Sequence, residues 1–516
     1  MAMHPCLCVP ELITTICSAL NTSRDSRTLV ALATTCKLFA EPALDKLYSQ
    51  PRSFAHLFWC LPQDLWTVEV TDSHPDLGVL ESVLHFKRAM LPSDWLIIKN
   101  YARRVQNLKI SLADNVLVGH DVLGAIASYC DCDSVFLPRL RSLHIYDPPQ
   151  AMKPALSLLF KLCIGPLLGE LKLERLNANL FHVIILASNA SPALHTLSIV
   201  SPKNLSNELP ALLSGAAAKL RHLKELAIPF PNIASAPNAS LFSAIGKFVS
   251  LESLSVVIQN PQAHSRQRRP GIVSLPTVIL PKLRHIDLTG HPTDIAAVFS
   301  CFQNRDSLVS IRLGCSGDLE ATDMSQALTE LTSALPDRFR TMEFSFAKRE
   351  KLLSLQPLLK FRNLRNLTVS SNSHFPDQEL AALEFPHLLR LYLHGRGPLR
   401  RNPAFMPTLR GVGLLLRNCP SLKHLTLAVN ALVAANQLCD ASPVDVCCTT
   451  LTSWNLDTSL IDDAEFVARH ITSMMPCVRT LTCIEMGLDK PWKKVETLLA
   501  FWRSVSQRHQ KALQDA

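Results

Sequence analysis

One phrase constrains this chain of 516 residues more than any other feature: apolar, two residues, apolar, one residue, apolar. It opens at Val105, Leu140, Leu168, Leu194, Leu223, Leu251, Leu283, Leu308, Phe339, Leu364, Leu388, Leu422, Leu451 and Val478. The mean step is about 29 residues, and a period sustained at that size means stacked units that bury their apolar sides only against one another. Strand alternation turns the second and third apolar residues inward and those between them outward. Leu197 and Ile199 are thus expected in the core, with Thr196, Ser198 and Val200 on the open face. Apolar residues make up 47% of the chain and aromatic ones only 6%, which suits a narrow interior of Leu, Val, Ile and Ala.

Each unit reads as a helix followed by a short strand. Pro138, Pro192, Pro281, Pro386, Pro420 and Pro476 stand two residues before the first apolar position, where a proline ends a helix and favours an extended predecessor. Helices are expected over 180–188, 206–213, 240–248, 293–302, 325–334 and 462–474. The phrase and period resemble the leucine-rich repeat, whose regular form carries Asn or Cys three residues after the third apolar position. Only Asn372 and Asn430 match, and the steps run from 24 residues (364 to 388) to 35 (105 to 140). The resemblance implies an α/β, irregular leucine-rich-repeat solenoid of ribonuclease-inhibitor-like geometry over 105–485. Trp492, Val495, Leu498, Leu499, Trp502 and Val505 share one helical face from about Pro491, so 486–516 is expected to cap the array; a partner-binding helix is the alternative reading.

Composition excludes several function classes. The net charge of +9 is modest for this length and fits weak attraction to acidic partners, so no nucleic-acid partner is expected. Sixteen cysteines contain no C-x-x-C pair or zinc spacing and read as free thiols of a reducing compartment. No apolar run nears the ~20 residues of a membrane span, and Glu11 interrupts an apolar N-terminus that lacks a basic leader. Cytoplasm or nucleus is expected, with no membrane partner. No H-E-x-x-H, G-x-S-x-G, Walker or dinucleotide motif occurs, so neither enzyme activity, a metal nor a cofactor is expected.

Residues 5–50 depart from the repeat. Pro10 opens a helix carrying Leu12, Ile13, Ile16 and Leu20; Asp25 or Ser26 caps a second with Leu29, Leu32, Ala33 and Cys36; Pro42 is expected to start a third with Leu44, Leu47 and Tyr48. Three helices this short enclose a poor core and must find other cover. The order Val9-Pro10-Glu11-Leu12-Ile13, Leu29-Val30-Ala31-Leu32, Cys36, Phe39-Ala40, Pro42, Leu44 and Tyr48 resembles an F-box, with Val9 in place of the usual leucine and Leu38-Phe39 near the usual tryptophan-arginine. In the bridging segment 51–104, Cys60 to Trp66, Leu84 to Arg88, Asp94-Trp95 and Tyr101 to Val105 resemble the stretch that follows the F-box in a large family of mushroom-forming fungi.

The resemblance implies docking on Skp1, and through it on a cullin ubiquitin ligase, by Pro10, Leu12, Ile13, Ile16, Leu32, Phe39, Pro42, Leu44 and Tyr48, divided in an unstated way between core and interface. The open sheet face is the expected target surface. Its outward positions include Asn107, Lys109, His144, Lys172, Glu225, His285 and Asp287, and its candidate contacts are Arg312, Glu343, Arg390, Tyr392, His394 and His424, residue types that include the Arg and Tyr enriched at interface hot spots. Two basic segments, 264–270 and 396–401, read as solvated loops, contacts for acidic or phosphorylated partners, or a nuclear signal. The reading is a non-enzymatic substrate-recognition subunit of an SCF-type E3 ligase. Its rivals are a Skp1-bound protein outside ubiquitination and a leucine-rich-repeat interaction scaffold.

Overall fold

Every one of the fourteen apolar phrases opens a strand two residues after its first apolar position. The structure, a computed structural model, describes residues 9–22, 24–74, 79–111, 114, 116–130, 135–146, 155–175, 182–200, 209–230, 237–258, 276–303, 305, 307–315, 328–329, 332–333, 335–346, 354–371, 375–395, 406–433, 447–457, 459–483 and 489–514. The chain divides into two compact units: Met1–Pro231 with Ser235–Leu254 and Leu280–Lys282, and Leu283–Ala516 with Asn232–Ala234 and Ser255–Ile279.

The repeats of the first unit supply the parallel strands Asn107–Ser111, Ser142–Tyr146, Glu170–Glu174, Thr196–Val200 and Glu225–Phe230, each paired with its neighbour in the chain. Ser253–Ile258 follows, where the units divide. The second unit holds His285–Gly290, Ser310–Cys315, Thr341–Phe346, Asn366–Ser371, Arg390–Gly395, His424–Leu427, Ser453–Asn455 and Thr480–Thr482, also parallel and in chain order. Register aligns the inward positions: Leu367 pairs with Leu391, and Leu391 with Leu425, all buried. The fold is thus an α/β leucine-rich-repeat array, its core a ladder of Leu, Ile, Val and Phe between strands and helices.

The helices fall near their expected places, as His182–Ala190, Leu209–Ala217, Pro237–Ile245, Pro292–Ser300 and Ala464–Met474. Asp463 caps the last, its carboxylate accepting from the backbone N–H of Glu465 and Phe466 at 2.8 and 3.1 Å. The helix expected over 325–334 falls mostly outside the described residues, as do both basic loops. Thr196 lies at an outward strand position as expected yet is buried, and its hydroxyl donates to Glu225 at 3.2 Å. Asp489–Gln514 forms the terminal helix, with Trp492, Val495 and Leu499 buried and the Trp492 indole donating to the Ser459 carbonyl at 3.2 Å. That contact holds the helix against its own unit, while Leu498 and Trp502 are half-buried and Val505, expected on the same face, is exposed.

The N-terminal module has three helices: α1 (Pro10–Ala19), α2 (Ser26–Thr35) and α3 (Lys37–Ser49). Pro42 does not start α3 but lies inside it. The earlier start brings Phe39 and Ala43, one turn apart, into a core with Ile13, Cys17 and Leu29, and that burial offsets the proline. The bridging segment supplies a 3-10 helix (Phe54–Cys60), an antiparallel hairpin of β1 (Trp66–His74) and β2 (Val79–Phe86), and α4 (Pro92–Ala102). Three of its charged residues act as structural pins. The Arg88 guanidinium donates to Asp64 at 2.8 Å and to Asp94 at 2.7 Å, and buried Asp94 accepts from the Leu91 N–H at the start of α4.

Candidate interaction surfaces

On α1, two neighbouring apolar stripes have different fates. Ile13 and Cys17 turn inward, with half-buried Leu20 against them. Val9, Leu12 and Ile16, at i, i+3 and i+7, face solvent, and Leu12 and Ile16 remain 46% and 42% exposed. Val30 on α2 and Leu38 on α3 are also exposed, and Pro10 with them. Of the nine Skp1 candidates, then, Pro10, Leu12 and Ile16 lie on the surface. Ile13 and Phe39 lie in the module's own core, while Leu32, Pro42, Leu44 and Tyr48 are half-buried.

Tyr48 faces the bridging segment. Its ring centre lies 4.7 Å from that of Tyr101, and burial is the main cause that pushes its hydroxyl up to about 12. Beside it, Arg104 joins α3 to the end of α4. The Arg104 side chain is buried and donates to Glu41 Oε2 at 2.8 Å and to Asp45, while the Gln106 N–H donates to the Ser49 carbonyl at 2.9 Å. These bonds fall on α3 and leave Val9, Leu12 and Ile16 exposed.

In the first unit, Glu170 anchors a polar cluster on the open sheet face. It accepts from Ser142 at 2.9 Å and pairs with His144 at 3.3 Å and with Lys172. Burial alone would raise its carboxyl, but the Lys172, Ser142 and His144 contacts outweigh that and hold it down to about 2. In the second unit, strand register sets Asp287, Arg312 and Glu343 side by side, and Arg312 bonds Glu343 at 2.8 Å and Asp287 at 3.6 Å. Burial pushes the Asp287 carboxyl up. Two candidate contacts, Arg312 and Glu343, therefore satisfy each other.

Register also brings Arg390 beside His424, with Tyr392 two residues on beside Thr426. Arg390 is exposed, and Tyr392 and His424 are half-buried. His394 is committed elsewhere: its Nδ1 lies 2.9 Å from Asp457 Oδ2, and Asp457 is 1% exposed. Asp457 sits at φ 48°, a left-handed conformation that Asp tolerates better than most residues. Sequence reasoning did not find Asp457, because nothing in its local pattern sets it apart.

Among the described residues no group of His, Cys, Asp and Glu is arranged to hold a metal ion, and no helix is long and apolar enough to cross a membrane. All described cysteines are free, and burial pushes the Cys163, Cys419 and Cys60 thiols up, Cys419 to about 11 and Cys60 to about 12. A surface cavity of about 430 Å³ lies beside α4, where Trp95 stacks on Tyr129 and Phe136 with Lys99 and Arg103 at the rim.

No family model matches the chain, and no curated protein matches it in sequence. Among solved structures, the leucine-rich-repeat-containing protein LegL7 from Legionella pneumophila is 11% identical, over 60% of this chain and 90% of that one, with a TM-score of 0.32. A chain of the yeast Rad7 and Elc1 complex is 11% identical over 93% of this chain and 89% of that one, also with a TM-score of 0.32. Likeness at this level says nothing of function.

Proposed function

We propose that this chain is the target receptor of an SCF-type ubiquitin ligase, in which the N-terminal module docks on Skp1 and the repeats hold a target protein. One observation carries the reading. Val9, Leu12 and Ile16 form an apolar stripe on α1 that the module's own core and the bridging segment leave uncovered, as an F-box-like module that docks on a partner requires. The receptor would supply proximity and orientation, ubiquitin transfer falling to other subunits, and would work in the cytoplasm or nucleus. The scaffold reading instead has the three helices serve only to close the end of the array. Exposed apolar side chains on α1 disfavour it, since a plain end cap would present a polar outer side.

The test is co-purification with Skp1. Ile13 belongs to the core, so the informative variant is Leu12→Asp with Ile16→Asp, which puts charge into the proposed contact and spares the fold. Wild type should retain Skp1 and the variant should lose at least roughly tenfold in affinity, with an unchanged circular dichroism spectrum. Failure of the wild type to retain Skp1 leaves the scaffold reading in its place.

A further inference from the structure

The slot directly after the first apolar position of the repeat phrase is reused in the second unit in a way the open face is not. It holds Arg284, Arg340, Arg365, Lys423 and Arg479, with neutral Val309, Leu389 and Thr452 in the repeats between them, and one residue beyond Leu389 stands Arg390. All six are exposed. Their backbones form one hydrogen-bonded rail. Val309 N–H donates to the Arg284 carbonyl at 2.9 Å, Arg365 N–H to Arg340 at 2.8 Å, Leu389 N–H to Arg365 at 2.7 Å and Thr452 N–H to Lys423 at 2.9 Å. Arg340, Lys423 and Arg479 N–H in turn donate to Val309, Leu389 and Thr452. At ~4.8 Å per strand, the rail from Arg284 to Arg479 is about 34 Å long.

None of the six side chains forms an ion pair among the described residues. On the adjoining face Arg312 pairs with Asp287 and Glu343, and His394 lies 2.9 Å from Asp457. Asp337 and Glu384 are acidic residues on the turns that lead into the rail; Asp337 lies 4.0 Å from Lys360, and neither reaches a rail cation. On the sheet face Arg312 shares its charge with two carboxylates, whereas among the described residues the leading edge, with Arg390 of the open face beside it, carries a row of exposed cations outside any ion pair.

We infer that this edge is a docking rail for an acidic polypeptide segment of the target. The inference rests on the receptor reading and names the chemistry of what that receptor holds. An extended peptide of about ten residues spans the rail, and its carboxylates would find cations at one- and two-strand intervals, each pair contributing a little and the row contributing register. A single-stranded nucleic acid fits less well. Such ligands are gripped by aromatic side chains interleaved with the cations, and Tyr392 is the only aromatic among the described outward positions of these strands.

The full chain is titrated with a fluorescent poly-glutamate peptide of about ten residues, and in parallel with an oligonucleotide of equal charge, by anisotropy at several salt concentrations. The rail variant is Arg340→Glu, Arg365→Glu and Lys423→Glu. A control of equal charge change, Arg410→Glu, Lys493→Glu and Lys494→Glu, alters exposed positions on helices of the same unit. Arg340→Lys with Arg365→Lys keeps the charge. The peptide should bind wild type with affinity that falls as salt rises, and the rail variant roughly ten- to a hundredfold more weakly. The control and the lysine variant should stay within about threefold of wild type. The proposal is overturned if wild type does not bind the peptide, if rail and control variants lose equally, or if the oligonucleotide binds more tightly than the peptide. Skp1 retention, measured on the same preparations, separates this outcome from failure of the receptor reading.

Discussion

Arg104 is the pin whose removal should cost less than the removal of its partners. Its side chain is 1% exposed, whereas Glu41 and Asp45 on α3 are 64% and 49% exposed. The desolvation has therefore been borne almost wholly by the cation. Among the described residues its Nε meets no acceptor, and the two carboxylates and the Glu41 carbonyl compensate the buried charge. Replacing Arg104 by Met fills the same space without a charge and lets both carboxylates turn to water, at a cost of about 0–2 kcal/mol. Glu41→Ala with Asp45→Ala keeps good helix formers in α3 but strands the guanidinium, which should cost about 3–5 kcal/mol. Hydrogen exchange over 10–49 measures this locally, and 3–5 kcal/mol corresponds to exchange faster by roughly two to four orders of magnitude. The Met variant should exchange at most about thirtyfold faster than wild type. Equal or larger destabilisation by Arg104→Met would refute the assignment of the desolvation cost to the cation.

Three further outcomes are expected. Glu170 is held at about 2 in the folded chain against 4.5 ordinarily, so its contribution is present above pH 4.5 and is lost as pH falls towards 2. That gap is worth roughly 3 kcal/mol, and because His144 and Lys172 are 34% and 37% exposed, screening leaves about 1–2 kcal/mol; Glu170→Gln should lose this amount at neutral pH in urea melts and flatten the acid limb, and an unchanged limb would contradict the pairing. Leu367→Ala, at a fully buried position, should cost about 2–5 kcal/mol in thermal or urea unfolding, and neighbouring Thr368→Ala less than ~0.5 kcal/mol; equal losses would overturn the facing. Maleimide should label exposed Cys447 and Cys477 in the native chain well before Cys163 and Cys419, whose burial holds them protonated, and mass spectrometry of partial digests reads the order.

The strands were legible because one rule sets them. A residue that alternates with Leu, Ile or Val against a helix layer is fixed in facing by burial, so Leu197, Leu226, Leu254, Leu367 and Leu425 fall in the core as their spacing demands. Helix ends were less legible, since caps such as Asp463 shift them by a residue or two without changing the face. The N-terminal module shows where periodicity stops informing. Leu12, Ile13, Ile16 and Cys17 make one broad apolar band on α1, and only the position of α2 and α3 decides that Ile13 and Cys17 go inward while Leu12 and Ile16 do not. Arg103 and Arg104 look alike in sequence, yet one is exposed and the other is the buried pin. His394 reads as a surface contact until Asp457, far away in the chain, is seen beside it.

The same physics explains why this array can carry a directed charge at all. Side chains on the open face sit ~4.8 Å from their register partners, close enough that opposite charges on adjacent strands pair, as Arg312 does with Glu343. A mixed composition on that face therefore tends towards local neutrality. The slot at the leading edge escapes this because its charged occupants in the second unit share one sign: Arg284, Arg340, Arg365, Lys423 and Arg479 alternate only with one another and with neutral Val309, Leu389 and Thr452. A field survives on a repeat protein where successive repeats reuse one slot for one charge. These five cations stand along one edge of one unit, which is where a negatively charged partner would meet it first.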